Sequence, residues 1–66
     1  MKATADILRN EFGEGIEVLE ESNAPEHMVH TVNPQGLHQI MRIVDDRVEW
    51  WVVCYEDDTL SKYLPD

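Results

Sequence analysis

The segment Arg47–Tyr55 is the part of this chain that most restricts its fold. It is rich in Val, Trp and Tyr, which favour β-strands, and it carries apolar side chains at both odd and even positions. On a strand, Trp50 and Trp51 would lie on opposite sides, one in the core and the other at an interface. A strand that is apolar on both sides is typical of the middle of a sheet. We therefore expect a β-sheet with this segment at a central position.

A helix is predicted before the sheet. Ala5, Leu8 and Phe12 are spaced as one apolar stripe of a helix. Thr4 is a candidate N-cap, because a threonine hydroxyl can accept a hydrogen bond from a free N–H group of the first turn. Gly13 is a candidate C-cap, since glycine tolerates the left-handed backbone that ends many helices.

A short acidic strand, Ile16–Glu21, follows the helix. Strict alternation along it would put Ile16 and Val18 on one side, and Glu17, Leu19 and Glu21 on the other. Negative charge is concentrated at the end of this strand.

The chain between this strand and Arg47 allows two interpretations. Asn23–Glu26 has the form of a helix start, with a capping residue and a glutamate three positions later. Alternatively, His27–Val32 is a strand that turns at Asn33–Gly36 into a second strand, Leu37–Val44. The order Asn-Pro-Gln-Gly is typical of a type I turn, which favours the strand over the helix.

Residues 1–66 are expected to form a single α+β domain. The N-terminal helix would pack on one face of an antiparallel sheet of four to five strands. The fifth would be a short edge strand over Thr59–Leu64, after a turn at Glu56–Asp58. A chain of 66 residues leaves room for one small core and little else.

The second face of this sheet has no predicted cover. Four apolar residues are expected to share it and to form a pocket: Val29, Met41, Ile43 and Cys54. Contiguous exposed apolar surface commonly marks an interface. The alternative is that the C-terminal segment or a second copy of the chain closes this face.

The negative charge is concentrated in a stretch without bases. No Lys or Arg lies between Asn10 and Met41, but six carboxylates do: Glu11, Glu14, Glu17, Glu20, Glu21 and Glu26. The net charge of −9 excludes nucleic acid and anionic membranes as direct partners, since both would repel the chain. The stretch is either a solvated face that favours solubility or a surface for a strongly basic partner, such as a DNA-binding cleft.

Few residues suggest chemistry. Cys54 has no second cysteine to pair with and lies among apolar neighbours, so we expect it to fill the core. His27 and His30 would face opposite sides of a strand and would not bind one metal ion together. We therefore expect no enzyme, no metal and no cofactor. The first residues lack the apolar run of a signal peptide, and no run is long enough to span a membrane, which indicates a cytoplasmic protein.

The order of several short motifs resembles the phage uracil-DNA glycosylase inhibitors, the Ugi family. The motifs are Thr4–Leu8, Val18–Ser22, Val29–Thr31, Ile40–Ile43 and Trp51–Asp57, which are similar to the opening helix and successive strands of that family. The family has a second helix between the Glu-Ser strand and the Val-His-Thr strand. Here only residues 23–27 occupy that place, so the second helix of the family is missing and this chain is shorter than the family pattern.

The resemblance implies a DNA mimic that blocks the DNA-binding groove of uracil-DNA glycosylase. The residues that match the family's groove contact are Glu20, Glu21 and Ser22, with Glu26 in place of the acids of the missing helix. The apolar pocket of the family, which takes up the side chain that the enzyme wedges into DNA, matches Val29, Met41, Ile43 and Cys54.

On this basis we expect a monomer that forms a one-to-one complex, in the host cytoplasm if a phage encodes it. The alternatives are a DNA mimic against another nucleic-acid-binding protein, such as a restriction or CRISPR effector, and a small acidic structural or regulatory domain.

Overall fold

The computed structural model describes residues 2–54 and 58–65 and confirms an α+β fold with one helix on a four-stranded antiparallel sheet. The elements are α1 (Thr4–Phe12), β1 (Glu17–Ser22), β2 (Met28–Val32), β3 (His38–Val44), β4 (Arg47–Cys54) and a 3₁₀ helix (Leu60–Lys62). The strands follow one another in the sheet in the order β1-β2-β3-β4. Residues 56 and 57 of the predicted turn Glu56–Asp58 lie outside the described residues. Within the described part, no helix is long and apolar enough to cross a membrane.

Helix α1 begins at Thr4, the residue that was predicted to cap it. Ala3 is the N-cap, with extended backbone, and its carbonyl accepts the N–H of Ile7 at 3.1 Å. Thr4 already lies within the helix, and its hydroxyl is used elsewhere, so the predicted threonine cap was wrong. The predicted glycine C-cap is confirmed, because Gly13 has a φ of 86° and donates its N–H to the carbonyl of Arg9.

The strand interpretation of the middle segment is confirmed. β2 and β3 form a hairpin around Asn33–Gly36, and the N–H of Gly36 donates to the carbonyl of Asn33 at 2.9 Å. The side chain of Asn33 also accepts the N–H groups of Gln35 and Leu37, at 3.0 and 2.8 Å. These contacts fix the register of the two central strands.

The predicted central position of the Trp-rich strand was wrong, because β4 is the last strand of the sheet. Each of its apolar sides is only partly covered. On one side Phe12 packs edge-on against Trp51, with ring centroids 6.1 Å apart, and on the other Tyr63 lies 6.4 Å from Trp50. Apolar residues on both sides of β4 therefore reflect two partial contacts and not burial in the middle of the sheet.

Both faces of the sheet carry a core. The helix face is packed with Ile7, Leu8, Val29, Met41 and Ile43. The opposite face is packed with Met28, Ile40, Cys54 and Leu60. Leu60 belongs to the 3₁₀ helix, which occupies the segment where a fifth strand was predicted. That strand was wrong, and the segment instead lies over the second face as a short cover.

Candidate functional site

The β1 edge, residues Glu17–Ser22, is the acidic boundary of the sheet. β1 pairs with β2 on one side only and is the first strand in the sheet order. It carries three carboxylates from the base-free stretch, Glu17, Glu20 and Glu21, and all three residues are exposed. This strand therefore presents closely spaced negative charge at the outside of the fold.

A β-bulge at Leu19 changes which carboxylate lies on which face. The register shifts between Val18 and Glu20, so that Glu20 lies opposite His30 and Glu21 lies opposite Val29. Paired residues of antiparallel strands share a face. Glu21 is consequently on the helix face with Val18, and the strict alternation predicted for this strand was wrong, because a bulge inserts one extra residue into the pattern.

Glu21 is held by the start of the helix and by the loop before β2. Its Oε2 accepts the hydroxyl of Thr4 at 2.6 Å and lies 2.5 Å from Nε2 of His27. The hydrogen bond from Thr4, together with the hydrogen bond and charge of His27, lowers the pKa of Glu21 below its ordinary value of 4.5. The carboxylate is thus kept ionised and fixed in position.

The other three predicted contact residues also have partners within the chain. Oε2 of Glu20 accepts the backbone N–H of Leu60 at 3.0 Å, which ties the C-terminal cover to β1. Ser22 donates its hydroxyl to the carbonyl of Ala24, and Glu26 accepts from Arg42 at 3.1 Å. Ser22 and Glu26 therefore lie at the end of the β1 edge and just beyond it, in a loop braced by short contacts.

These internal contacts leave part of each carboxylate available. The hydrogen bonds of Glu20 and Glu21 each use Oε2, and the contact of Glu26 uses Oε1. An ionised carboxylate has two oxygens and about four acceptor positions. Each group can still accept donors from a partner while its side chain is held in one orientation.

The four residues predicted to form one apolar pocket do not lie together. Val29 and Met41 are fully buried and Ile43 is 5% exposed, because α1 packs Ile7 and Leu8 directly over them. Cys54 lies on the opposite face, beneath the 3₁₀ helix. The prediction was wrong for two reasons. It assumed that α1 covers the other face of the sheet, and it placed Cys54 on the same face as Val29, Met41 and Ile43.

Cys54 also lies in a polar setting that the sequence did not suggest. Its Sγ is 3.4 Å from the hydroxyl of Tyr63. The hydrogen bond with Cys54 raises the pKa of Tyr63 to about 12, so this phenol stays neutral in the physiological range. Asp58 and Lys62 form an ion pair beside it, which joins the chain just before the 3₁₀ helix to the last residue of that helix.

A histidine pair on the opposite face was also missed. Nε2 of His30 lies 2.9 Å from Nδ1 of His38, so one ring nitrogen donates and the other accepts. The signal was present in the predicted turn, because a hairpin around Asn33–Gly36 puts these two positions diagonally on one face. Within the described residues, no group of three or more His, Cys, Asp or Glu side chains is arranged to hold a metal ion.

An open cavity of about 530 Å³ lies beside Glu21 at the start of α1. Asp45 and Asp46, from the turn between β3 and β4, contribute to its lining together with His27 and Thr4. Both aspartates have left-handed backbone, with φ of 52° and 60°, as a tight two-residue hairpin turn requires. Acidic side chains from two parts of the chain therefore meet at one end of the β1 edge.

Comparison with protein-family models, with curated proteins and with solved structures found no match.

Proposed function

We propose that this chain is a DNA mimic that binds the basic DNA-binding groove of another protein through its β1 edge. The observation that carries the proposal is the row of carboxylates Glu17, Glu20 and Glu21 on an exposed outer strand. The chain acts by occupying the groove and performs no catalysis of its own. Its site of action is the cytoplasm.

The spacing of these charges supports the mimicry. Because of the bulge, Glu17 to Glu21 spans the three residue steps from Val32 to Val29 on β2, which is about 10 Å at about 3.3 Å per residue. One strand of B-DNA carries a phosphate about every 3.4 Å along the axis, or about three over the same length. The β1 edge offers three single negative charges in that interval, Glu17 and Glu20 on the face of the 3₁₀ helix and Glu21 on the helix face. Their number over this length equals the number of phosphates on one DNA strand.

The internal contacts of the carboxylates also support it. Free glutamate side chains lose rotational entropy when a partner fixes them, at about 0.5–1.5 kcal/mol for each side chain. Glu20 is already tied to the N–H of Leu60, and Glu21 to Thr4 and His27. These side chains are held before binding, as the phosphates of a DNA backbone are.

Uracil-DNA glycosylase is the first enzyme to test, because of the motif resemblance. A restriction or CRISPR effector is the second candidate, and one observation favours it. Val29 and Met41 are enclosed beneath α1, and Cys54 lies on the opposite face. Of the four matched residues only Ile43 lines the open cavity beside Glu21, so the four do not form one pocket for the wedge side chain of a glycosylase. The proposal therefore depends on the acidic edge alone, which would suit any groove that binds DNA backbones.

The test is a titration of uracil excision by a purified glycosylase with the chain, repeated with two charge-reversal variants. Glu17→Lys changes the β1 edge, whereas Glu49→Lys makes the same change in net charge on β4, at the far edge of the sheet. Both residues are exposed, and within the described residues neither side chain has a hydrogen bond or ion pair, so both variants are expected to fold.

We expect inhibition near one-to-one by the parent chain and by Glu49→Lys, and at least a tenfold weaker effect of Glu17→Lys. We also expect inhibition to weaken as salt rises, since groove contacts of this kind are screened. Equal potency of the two variants would contradict a role for the β1 edge. Inactivity of the parent chain here, with binding to another DNA-binding protein, would select the second candidate.

A further inference from the structure

The outer edge of β4 contains an uncharged run of five residues, Trp50–Cys54. These residues pair regularly with His38–Arg42 of β3. The register shifts only on the N-terminal side of Trp50, where Glu49 is bulged. Among the described residues, no strand pairs with the other side of β4. A strand in this position presents unpaired N–H and C=O groups, and natural proteins usually protect such edges with charges or prolines. This run has neither.

Large apolar side chains are exposed on both sides of that run. On the helix face Trp51 is 49% and Val53 is 37% exposed, and on the opposite face Trp50 is 39% exposed. A partner strand added to this edge would contact both faces at once. Exposed backbone groups and exposed apolar side chains therefore coincide along the same five residues.

We infer that this edge pairs antiparallel with the same edge of a second copy of the chain, around a two-fold axis at Val52. A two-fold axis perpendicular to the sheet brings residues of the same face together. Centred on Val52, it sets Trp51 of each copy against Val53 of the other, on the helix face. It also sets Trp50 against Cys54 on the opposite face, so all five residues of the run are paired.

The run is complementary to itself, and this identifies a second copy as the occupant. No charged residue lies within the paired run, and Glu49 falls outside it, so no like charges oppose each other across the new strand pair. The β1 edge cannot pair with itself in this way, because Glu20 and Glu21 of the two copies would meet. β4 is the self-complementary edge, and pairing it with itself closes the assembly at two copies.

The association is expected to be weak and to respond to salt in an unusual direction. Five residues bury much less than the about 800 Å² per partner of a standard interface. Each copy also carries a net charge of −9, which opposes association. Screening that repulsion strengthens the dimer, so added salt favours it. The inference is independent of the proposed function and departs from the monomer expected from the sequence.

The test is sedimentation equilibrium of the intact chain from about 10 μM to about 1 mM, a range suited to weak complexes. We expect a dimer that increases with concentration and that is favoured when salt rises from about 50 mM to about 500 mM. Val53→Lys should weaken the dimer at least tenfold, because the lysine adds charge to the pairing surface. Leu19→Lys, at a residue of similar exposure on β1, should change it less than twofold.

Amide hydrogen exchange of the unmodified chain provides a second measurement that needs no variant. N–H groups of residues 50–54 that face outward should exchange more slowly at high than at low concentration, while those of β1 should not change. A monomer at every concentration and salt would overturn the inference. So would equal effects of Val53→Lys and Leu19→Lys, or a dimer that dissociates as salt is added.

Discussion

Truncation of Met41 decides whether the residues matched to a wedge pocket are an open site or a closed core. Met41 is fully buried on the helix face, among Ile7, Leu8, Val29 and Ile43. Met41→Ala removes Cγ, Sδ and Cε from this cluster. An enclosed position loses stability when these atoms are removed, whereas a solvent-open pocket loses little.

The expected loss follows from the burial. Three methylene-sized groups at about 0.8 kcal/mol each give about 2.4 kcal/mol of lost transfer free energy. The cavity left behind adds about 1 kcal/mol, so the free energy of unfolding should fall by about 3 kcal/mol. A domain of this length has about 3–10 kcal/mol in total, which makes the loss a large fraction of its stability.

The assay is urea unfolding followed by circular dichroism. With a slope of about 1 kcal/mol per molar urea, the midpoint should move by about 3 M or the variant should be largely unfolded in buffer. Leu19→Ala is the control, because Leu19 is 44% exposed and its truncation should cost less than about 0.5 kcal/mol. A loss below about 1 kcal/mol for Met41→Ala, with an unchanged slope, would refute the closed core and restore the open pocket.

Two further predictions concern contacts that position the site. Hydrogen bonds from Thr4 and His27 lower the pKa of Glu21, so its ionised form stabilises the fold above pH 4.5, and that stability is lost as pH falls through the lower folded pKa. Glu21→Gln should therefore be less stable than the parent chain at pH 7, and should lose less stability on acidification below pH 4.5. Urea unfolding at several pH values measures this. Identical pH profiles of stability for the variant and the parent chain would contradict the prediction. Asn33→Ala removes two hydrogen bonds from the β2–β3 turn and should lower the free energy of unfolding by about 1–2 kcal/mol. Gln35→Ala is the neutral control. Equal stability of the two variants would count against the turn contacts.

Local sequence patterns were sufficient to predict the helix and the central hairpin. The spacing of Leu8 and Phe12 with Gly13 predicted α1, and the Asn-Pro-Gln-Gly order at Asn33–Gly36 predicted the central hairpin. Both signals act within a few residues of the chain, through helix periodicity and turn hydrogen bonds. The fold class follows from them.

The same local patterns could not predict how elements that are distant in the sequence pack against one another. The bulge at Leu19 depends on how β1 meets β2, and it decides that Glu21 shares a face with Val29. The side on which α1 packs decides that Met41 is core and not pocket. The same apolar alternation fits either packing, because alternation records that a side chain is buried and not which element buries it.

The two proposed contacts are expected to respond to salt in opposite directions, and their places at opposite edges of the sheet decide whether both can form at once. Pairing two β4 edges would make a continuous sheet of eight strands from two four-stranded sheets. At about 4.8 Å between strands, the two β1 edges would lie about 34 Å apart and face away from each other. One groove could then contain only one of them, so each groove would still bind a single chain. Dimerisation would leave the stoichiometry per groove unchanged, and would allow one dimer to hold two target proteins at once.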